Sequence, residues 1–313
     1  MAPPLIVIVG PTAVGKSDLA FDLALKINGE IVSADSMQIY KLMDIGTAKP
    51  EVSKRNIVRH YMIDIVYPDE EYSVALYKQD AEKAIEKIYS KNKIPIVVGG
   101  TGLYINSIIN KVNYSESGPD KNFREQLDNL SNEKGIEYLH NMLYKIDPVS
   151  AKKISVNDKK RIIRALEVYY RTGKPISYYQ QLSNNQPNTK YNTLIFGLTM
   201  NRTILYDRIE RRVDIMINKG LVEEVRSLLS MGYDERLNSM QAIGYRQILG
   251  YLRGKLGLNE AINLIKRDTR RYAKRQLTWF RNNDRVEWFD LDKIDEEDII
   301  KKIIERLAGI CKE

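Results

Sequence analysis

The sequence predicts an α/β fold: a phosphate-loop (P-loop) parallel sheet core flanked by helices, with a helical insertion domain. Three observations predict it. Apolar, β-branched runs alternate with stretches of helical period, the pattern of repeated βαβ units. The octapeptide GPTAVGKS, Gly10 to Ser17, stands between the first such strand and the first such helix. From about residue 113 to 191 the strand-like runs stop and only helical patterns remain.

Taken in order, LIVIVG at 5–10 reads as a strand buried on both faces, since its run is apolar and largely β-branched. KSDLAFDLALKI then carries apolar residues at helical spacing. EIVSAD at 30–35, IPIVVGG at 94–100 and TLIFGLTM at 193–200 supply three more strands. Between the last two lie FREQLDNLSNEKG, IEYLHNMLYKIDP and NDKKRIIRALEVYYRTGKP, which read as helices. The last of these turns Ile162, Leu166 and Tyr169 inward and stops at Gly173 and Pro175. The expected division is therefore a core of 1–112 with 192–313, and an insertion of 113–191. RTILYDRIERRVDIMINKG, LVEEVRSLLSMG, MQAIGYRQILGYLRG and RDTRRYAKRQLTWFRNN complete the core as helices.

Across 313 residues, 43% apolar and 29% charged content is that of a globular protein. No run approaches the ~20 apolar residues of a membrane span, and MAPPLIVIVG has no basic leader, so a cytoplasmic protein without membrane contact is expected. One cysteine and two histidines exclude an internal disulfide and a His/Cys zinc site. The metal to expect is Mg²⁺ arriving with a phosphate substrate. A net charge of +8 suits either a polyanionic partner or a generally basic surface. What favours the partner is the placement of Lys159, Lys160, Arg161 and Arg164 on one insertion helix. A second basic track pairs like charges at i,i+4, Arg270 with Lys274 and Arg271 with Arg275, which calls for nearby acids or an outside anion.

GPTAVGKS fits G-x-x-x-x-G-K-[ST]. In such a loop the backbone of Gly10, Pro11, Thr12, Ala13, Val14 and Gly15 wraps phosphate oxygens, Lys16 supplies a cation and Ser17 a hydroxyl for Mg²⁺. The helix that follows adds its dipole. Asp35 ends the second strand at the edge where such sheets bind ligands, where it can ligate a metal, accept a proton or cap a helix. IPIVV ends in Gly-Gly-Thr without an acid, which argues against an ordinary kinase or ATPase. Thr101 offers a hydroxyl either to the site or to the local backbone. His60 reads as structural.

GPTAVGKS, SADSMQIYKLMDIGTAKP, HYMIDIVYPDEEYSVALY, VVGGTGLY, DKKRIIRALEVY, IERRVDIMINKGLVEEV, AIGYRQ and YAKRQLTWFRNND follow one another in this order. From Gly10 to about Asp284 the chain thereby resembles the tRNA dimethylallyltransferases, in their bacterial form without the zinc-finger extension of eukaryotic relatives. Arg59 stands where a second histidine is expected, and Ser17 where many members have threonine. The resemblance implies that the loop holds the diphosphate of dimethylallyl diphosphate. The five-carbon group would pass to N6 of the adenosine 3′-adjacent to the anticodon, in tRNAs reading codons that start with U, releasing diphosphate. It implies Asp35 as the base, Thr101 as the hydroxyl that orients the amine or the carboxylate, and Arg208 and Arg212 as a second clamp on the diphosphate. It further implies that Ser36, Met37 and Gln38 touch the flipped-out nucleotide. Arg124, the 159–164 stretch, Gln241, Gly244 and Tyr245 resemble tRNA-contacting segments. The protein is expected to be a monomer. A free-nucleotide isopentenyltransferase, a small kinase or NTPase, and an RNA-binding protein with an idle loop are the competing readings.

Overall fold

The computed structural model describes residues 2–112, 120–183 and 186–312. The chain divides into two compact units, Met1–Ile109 with Thr189–Glu313, and Asn110–Asn188. The insertion predicted at 113 opens on 113–119, outside the described residues.

The first stretch of the core unit runs β1 (Pro4–Val9), α1 (Lys16–Ile27), β2 (Gly29–Ala34), α2 (Val52–Ile57), β3 (His60–Tyr61), α3 (Val74–Tyr89), β4 (Ile94–Gly99) and α4 (Gly102–Ile109). The second unit holds α5 (Lys121–Lys134), α6 (Ile136–Ile146), α7 (Pro148–Lys153), α8 (Lys159–Thr172) and α9 (Ile176–Ser183). The core resumes with β5 (Asn192–Thr199), α10 (Arg202–Asn218), α11 (Leu221–Ser230), α12 (Tyr245–Leu252), α13 (Leu258–Arg281), β6 (Val286–Asp290) and α14 (Glu296–Lys312).

All six strands are parallel, in the order β3-β2-β4-β1-β5-β6. Along β1, Leu5, Val7 and Val9 enter one buried cluster with α3, α4, α11 and α12, while Ile6 and Ile8 enter another with α1, α10 and α14. Burial on both faces is why this strand lacks a polar alternation, and each such side chain contributes about 1.5–3 kcal/mol. The four strands expected from sequence are the central ones. The two added strands are edges: β3 is only two residues long, and VEWFD of β6 interleaves charged with aromatic residues and so lacks an apolar run.

Register fixes what meets what. Gly99 is aligned with Val9 of β1 and with Ala34 of β2. The residues that follow, Gly10, Asp35 and Gly100, therefore leave the sheet at one carboxyl edge, the ligand-binding edge of such folds.

The insertion has its own core of Leu127, Leu139, Leu143, Ile162 and Leu166. Helix α8 is capped by the Asp158 carboxylate accepting from Arg161 N and ended by Gly173 in the left-handed region, and Tyr169 is half-buried on it. Two of the cations expected to face an outside partner also bind a buried acid. Glu167 is fully buried and accepts from Arg124 Nε (2.8 Å), Arg124 Nη2 (2.9 Å), Arg164 Nη1 (2.6 Å) and Asp120 N (2.8 Å). A buried carboxylate requires such partners, so Arg124 and Arg164 neutralise Glu167 while their own side chains stay partly exposed. Lys159 pairs with Asp128 at 2.8 Å and Arg161 with Asp158 at 3.4 Å, while Lys160 is exposed.

Burial alone would raise the Glu167 pKa, but the bonds from Arg124, Asp120 N and Arg164 hold it down at about 2. A carboxyl depressed from an unfolded value of 4.5 adds stability above that value and loses it as pH falls toward 2. Thermal melts of the intact chain are expected to fall across that window, and Glu167→Gln should lower the pH 7 melting temperature and flatten the slope.

Candidate active site

A cleft of about 770 Å³ opens in the core unit at the carboxyl edge of the sheet, within the size range of small-molecule sites. Thr12, Ala13, Gly15, Lys16 and Ser17 line it from the loop, Asp35 and Gln38 from the turn after β2, Gly99 and Gly100 from β4, and Arg208 and Arg212 from α10. The loop runs from β1 directly into the N-terminus of α1, as anion binding requires.

Lys16 Nζ donates to Pro11 O at 2.7 Å. Burial and the neighbouring Arg212 bring its pKa to about 7, against the pull of Asp35. Arg212 is itself lowered by burial, and its Nη1 reaches Thr12 Oγ1 at 3.5 Å. Arg208 lies against Gly15. The acids that could have quenched these arginines are drawn away, because Glu210 pairs with Arg270 at 2.5 Å and Asp214 with Lys266 at 2.7 Å. Both cations are thereby left beside the loop. The same pairing answers the charge repulsion along α13, where Arg271 also has Asp268 at 3.8 Å.

Asp35 Oδ1 accepts from Met37 N at 2.8 Å and Gln38 N at 3.4 Å. It caps a turn, where the sequence suggested a helix. Thr101 Oγ1 accepts from Ser36 N at 3.0 Å, so its hydroxyl serves the backbone and also ties the β4 turn to the residue after Asp35. Gln38 is buried, its Oε1 accepting from Ser33 Oγ at 3.0 Å.

Two residues on α13 complete this arrangement and carried no role in the sequence reading. Gln276 Oε1 accepts from Thr12 N at 2.8 Å and its Nε2 donates to Gly100 O at 3.0 Å, bracing the phosphate loop against the β4 turn. A Cβ at Gly100 would lie 2.0 Å from Gln276 Nε2, so a side chain there would displace Gln276 from this bracing position. Burial, then Asp35, push the pKa of the Tyr272 hydroxyl up to about 12, against the pull of the nearby Thr101 and Gln276 side chains. Their i,i+4 spacing within YAKRQ puts both on one helix face, the signal that could have found them.

The remaining expected contacts separate. Tyr245 is fully buried, its hydroxyl donating to Glu224 Oε1 at 2.6 Å, so it presents no surface to RNA. Gly244 is buried too, its N–H donating to Gln247 Oε1 at 2.9 Å, while Gln241 is exposed. His60, read from sequence as structural, has Nδ1 2.8 Å from Val58 O and its pKa lowered by burial, and it also lines the cleft. Among the described residues no three His, Cys, Asp or Glu side chains converge as a metal site. Ser17 and Asp35 nevertheless offer the hard oxygen donors that Mg²⁺ takes when a phosphate supplies the rest.

Fold and site together define an α/β enzyme of the phosphate-loop kind. Residues 38–283 match the model of the IPP transferase family. The chain is 56% identical over 310 residues to a tRNA dimethylallyltransferase of Carboxydothermus hydrogenoformans, covering 99% of each. It is 54% identical over 305 residues to one of Acetivibrio thermocellus, covering 97% of each. Among solved structures, a full-length tRNA isopentenylpyrophosphate transferase from Bacillus halodurans matches with a TM-score of 0.72 at 44% identity, over 98% of this chain and 96% of that one. A eukaryotic dimethylallyltransferase described as acting on tRNA matches with a TM-score of 0.83 at 32% identity, over 98% and 80%. The chain belongs to the IPP transferase family.

Proposed function

We propose that this protein transfers the dimethylallyl group from dimethylallyl diphosphate to N6 of an adenosine in tRNA, the one 3′-adjacent to the anticodon in tRNAs reading codons that start with U. The observation that carries this reading is the convergence, at one strand edge, of an anion-binding loop flanked by Arg208 and Arg212 with a carboxylate and a hydroxyl, Asp35 and Thr101. An exocyclic adenine amine is a weak nucleophile, so both ends of the reacting centre need help.

At the leaving end, the C–O bond breaks with its electron pair going to diphosphate, whose charge meets the loop N–H groups, Lys16 and the two arginines. The Ser17 hydroxyl would hold a Mg²⁺ ion, which would supply further charge neutralisation at the leaving end. At the attacking end, N6 bonds to the allylic carbon and its proton passes to Asp35. Asp35 Oδ1 is held by the turn N–H groups, which leaves the other oxygen for that proton. A stacked base cannot reach such a cleft, so the adenosine is taken in flipped out. Lys159, Lys160 and Arg161 offer cations to the tRNA backbone. Every group invoked comes from one chain, so the reading needs no partner subunit, and tRNA as substrate assigns the work to the cytoplasm. Among the described residues no helix is long and apolar enough to cross a membrane.

The test incubates protein, Mg²⁺ and labelled dimethylallyl diphosphate with unmodified tRNA, and in parallel with AMP, then analyses the nucleosides. Label in tRNA adenosine is expected. Label in AMP at equal rate, or ATP consumption with no label transferred, overturns the reading.

A further inference from the structure

One carboxylate, far in sequence from the cleft-lining loop it holds, collects four donors. Glu224 of α11 accepts from Asp44 N (2.8 Å) and Ile45 N (2.7 Å) through Oε2, and from Gly46 N (3.1 Å) and the Tyr245 hydroxyl (2.6 Å) through Oε1. Three consecutive backbone N–H groups aimed at one point form an anion nest, here filled by a side chain of the protein itself. The fit is tight, because a Cβ on Gly46 would lie 2.5 Å from the Tyr245 ring. The segment so held is irregular, with Leu42 at φ 66° and Ala48 at φ 48°, so it needs outside support to keep its shape.

That segment forms a wall of the cleft: Asp44, Ile45, Ala48 and Lys49 all line it. Its far end is fixed by Lys49, almost wholly buried, whose Nζ donates to Tyr40 O (2.6 Å), Asp44 Oδ1 (2.7 Å) and Asp64 Oδ1 (2.6 Å). Between the two anchors, the carbonyls of Thr47 and Ala48 accept from Gln38 Nε2 at 3.3 and 3.4 Å. Gln38 N in turn donates to Asp35 Oδ1. A continuous run of hydrogen bonds thus leads from Tyr245 and Glu224, through the 44–48 loop and Gln38, to the carboxylate proposed as base.

We infer that Glu224 is a positioning residue for the acceptor side of the site, and that Tyr245 acts through it. The inference rests on the reading of Asp35 and Gln38 as the acceptor end of a tRNA prenyl transfer. It separates the two substrates: none of these bonds touches the phosphate loop, which is braced by Gln276 instead. Glu224→Gln keeps the shape but turns one acceptor into a donor facing N–H or O–H groups. Tyr245→Phe removes one hydroxyl and nothing else.

The experiment measures steady-state constants for both substrates in the wild type, Glu224→Gln, Tyr245→Phe and the double variant, with melting temperatures alongside. The expected result is a fall of ten-fold or more in kcat/KM for tRNA in Glu224→Gln and a smaller fall in Tyr245→Phe. The KM for dimethylallyl diphosphate should stay within two-fold, and the double variant should be no worse than Glu224→Gln alone. Less than a two-fold change for tRNA, additive losses in the double variant, or a diphosphate KM that rises in step overturns the inference and reduces Glu224 to a structural brace. If the wild type transfers no label to tRNA, the functional reading fails instead. Should Glu224→Gln fold poorly, Tyr245→Phe decides on the same readouts.

Discussion

Asp35→Asn and Asp35→Ala are both expected to lower the single-turnover rate of transfer to tRNA by about 10²–10⁴-fold, the usual contribution of a positioned base. Affinity for tRNA should stay within a few-fold. The pair is informative because Asp35 has two jobs in the structure. Its Oδ1 accepts from Met37 N and Gln38 N, holding the turn that follows β2. Asparagine keeps an oxygen for that cap but cannot take up the N6 proton, whereas alanine loses both functions. If proton acceptance is what matters, the asparagine variant is as slow as the alanine one although its turn is intact. Near-normal transfer by Asp35→Asn would show that the residue only shapes the turn. Binding measured on the same samples, by filter retention of labelled tRNA, separates a slow chemical step from a lost complex.

The catalytic edge was legible in the sequence because its ingredients are local: an apolar strand, a glycine loop and a helix in succession, then Asp35 directly after β2 and Thr101 two residues after β4. Parallel packing with a shared register does the rest, since Val9, Ala34 and Gly99 align. What sequence did not reveal depends on partners brought together by the fold. Gln276 and Tyr272 look like two more polar residues on a basic helix until α13 is seen to lie against the loop and the β4 turn. Arg124 and Arg164 look like cations with no partner inside the protein until Glu167, fully buried, is seen to bind both. Tyr245 was placed on RNA by resemblance of its segment, yet its burial is set by Glu224, 21 positions earlier in the chain. Arg208 and Arg212 keep their charge for the loop because Glu210 and Asp214, on the same helix, pair with α13 instead. In each case the pairing lies outside any window a periodicity can read.

Binding of dimethylallyl diphosphate is expected to take up a proton at Lys16 above about pH 7, and to weaken as pH rises beyond that. In the ligand-free protein the Lys16 ammonium rests on Pro11 O, and burial with Arg212 alongside lowers its pKa to about 7. Above about pH 7 this group is therefore increasingly neutral in the ligand-free protein. An entering diphosphate brings negative charge to Nζ, which favours the charged form and raises the pKa in the complex. Below pH 7 the lysine is already charged and nothing is taken up there. Above it, each unit of pH costs up to about 1.4 kcal/mol of affinity until the pKa of the complex is reached. Calorimetry in two buffers of different ionisation enthalpy counts the protons directly. Lys16→Arg should abolish the uptake, because a guanidinium stays charged, and Lys16→Met should abolish it while lowering kcat by about 10²–10³-fold, the loss typical of one electrostatic contact to a developing anion. Equal proton uptake in Lys16→Met would assign the titration to the diphosphate or another group. A decline in wild-type affinity confined to pH below 7 would mean that Lys16 is charged throughout, and that Asp35 outweighs burial and Arg212 in setting its charge.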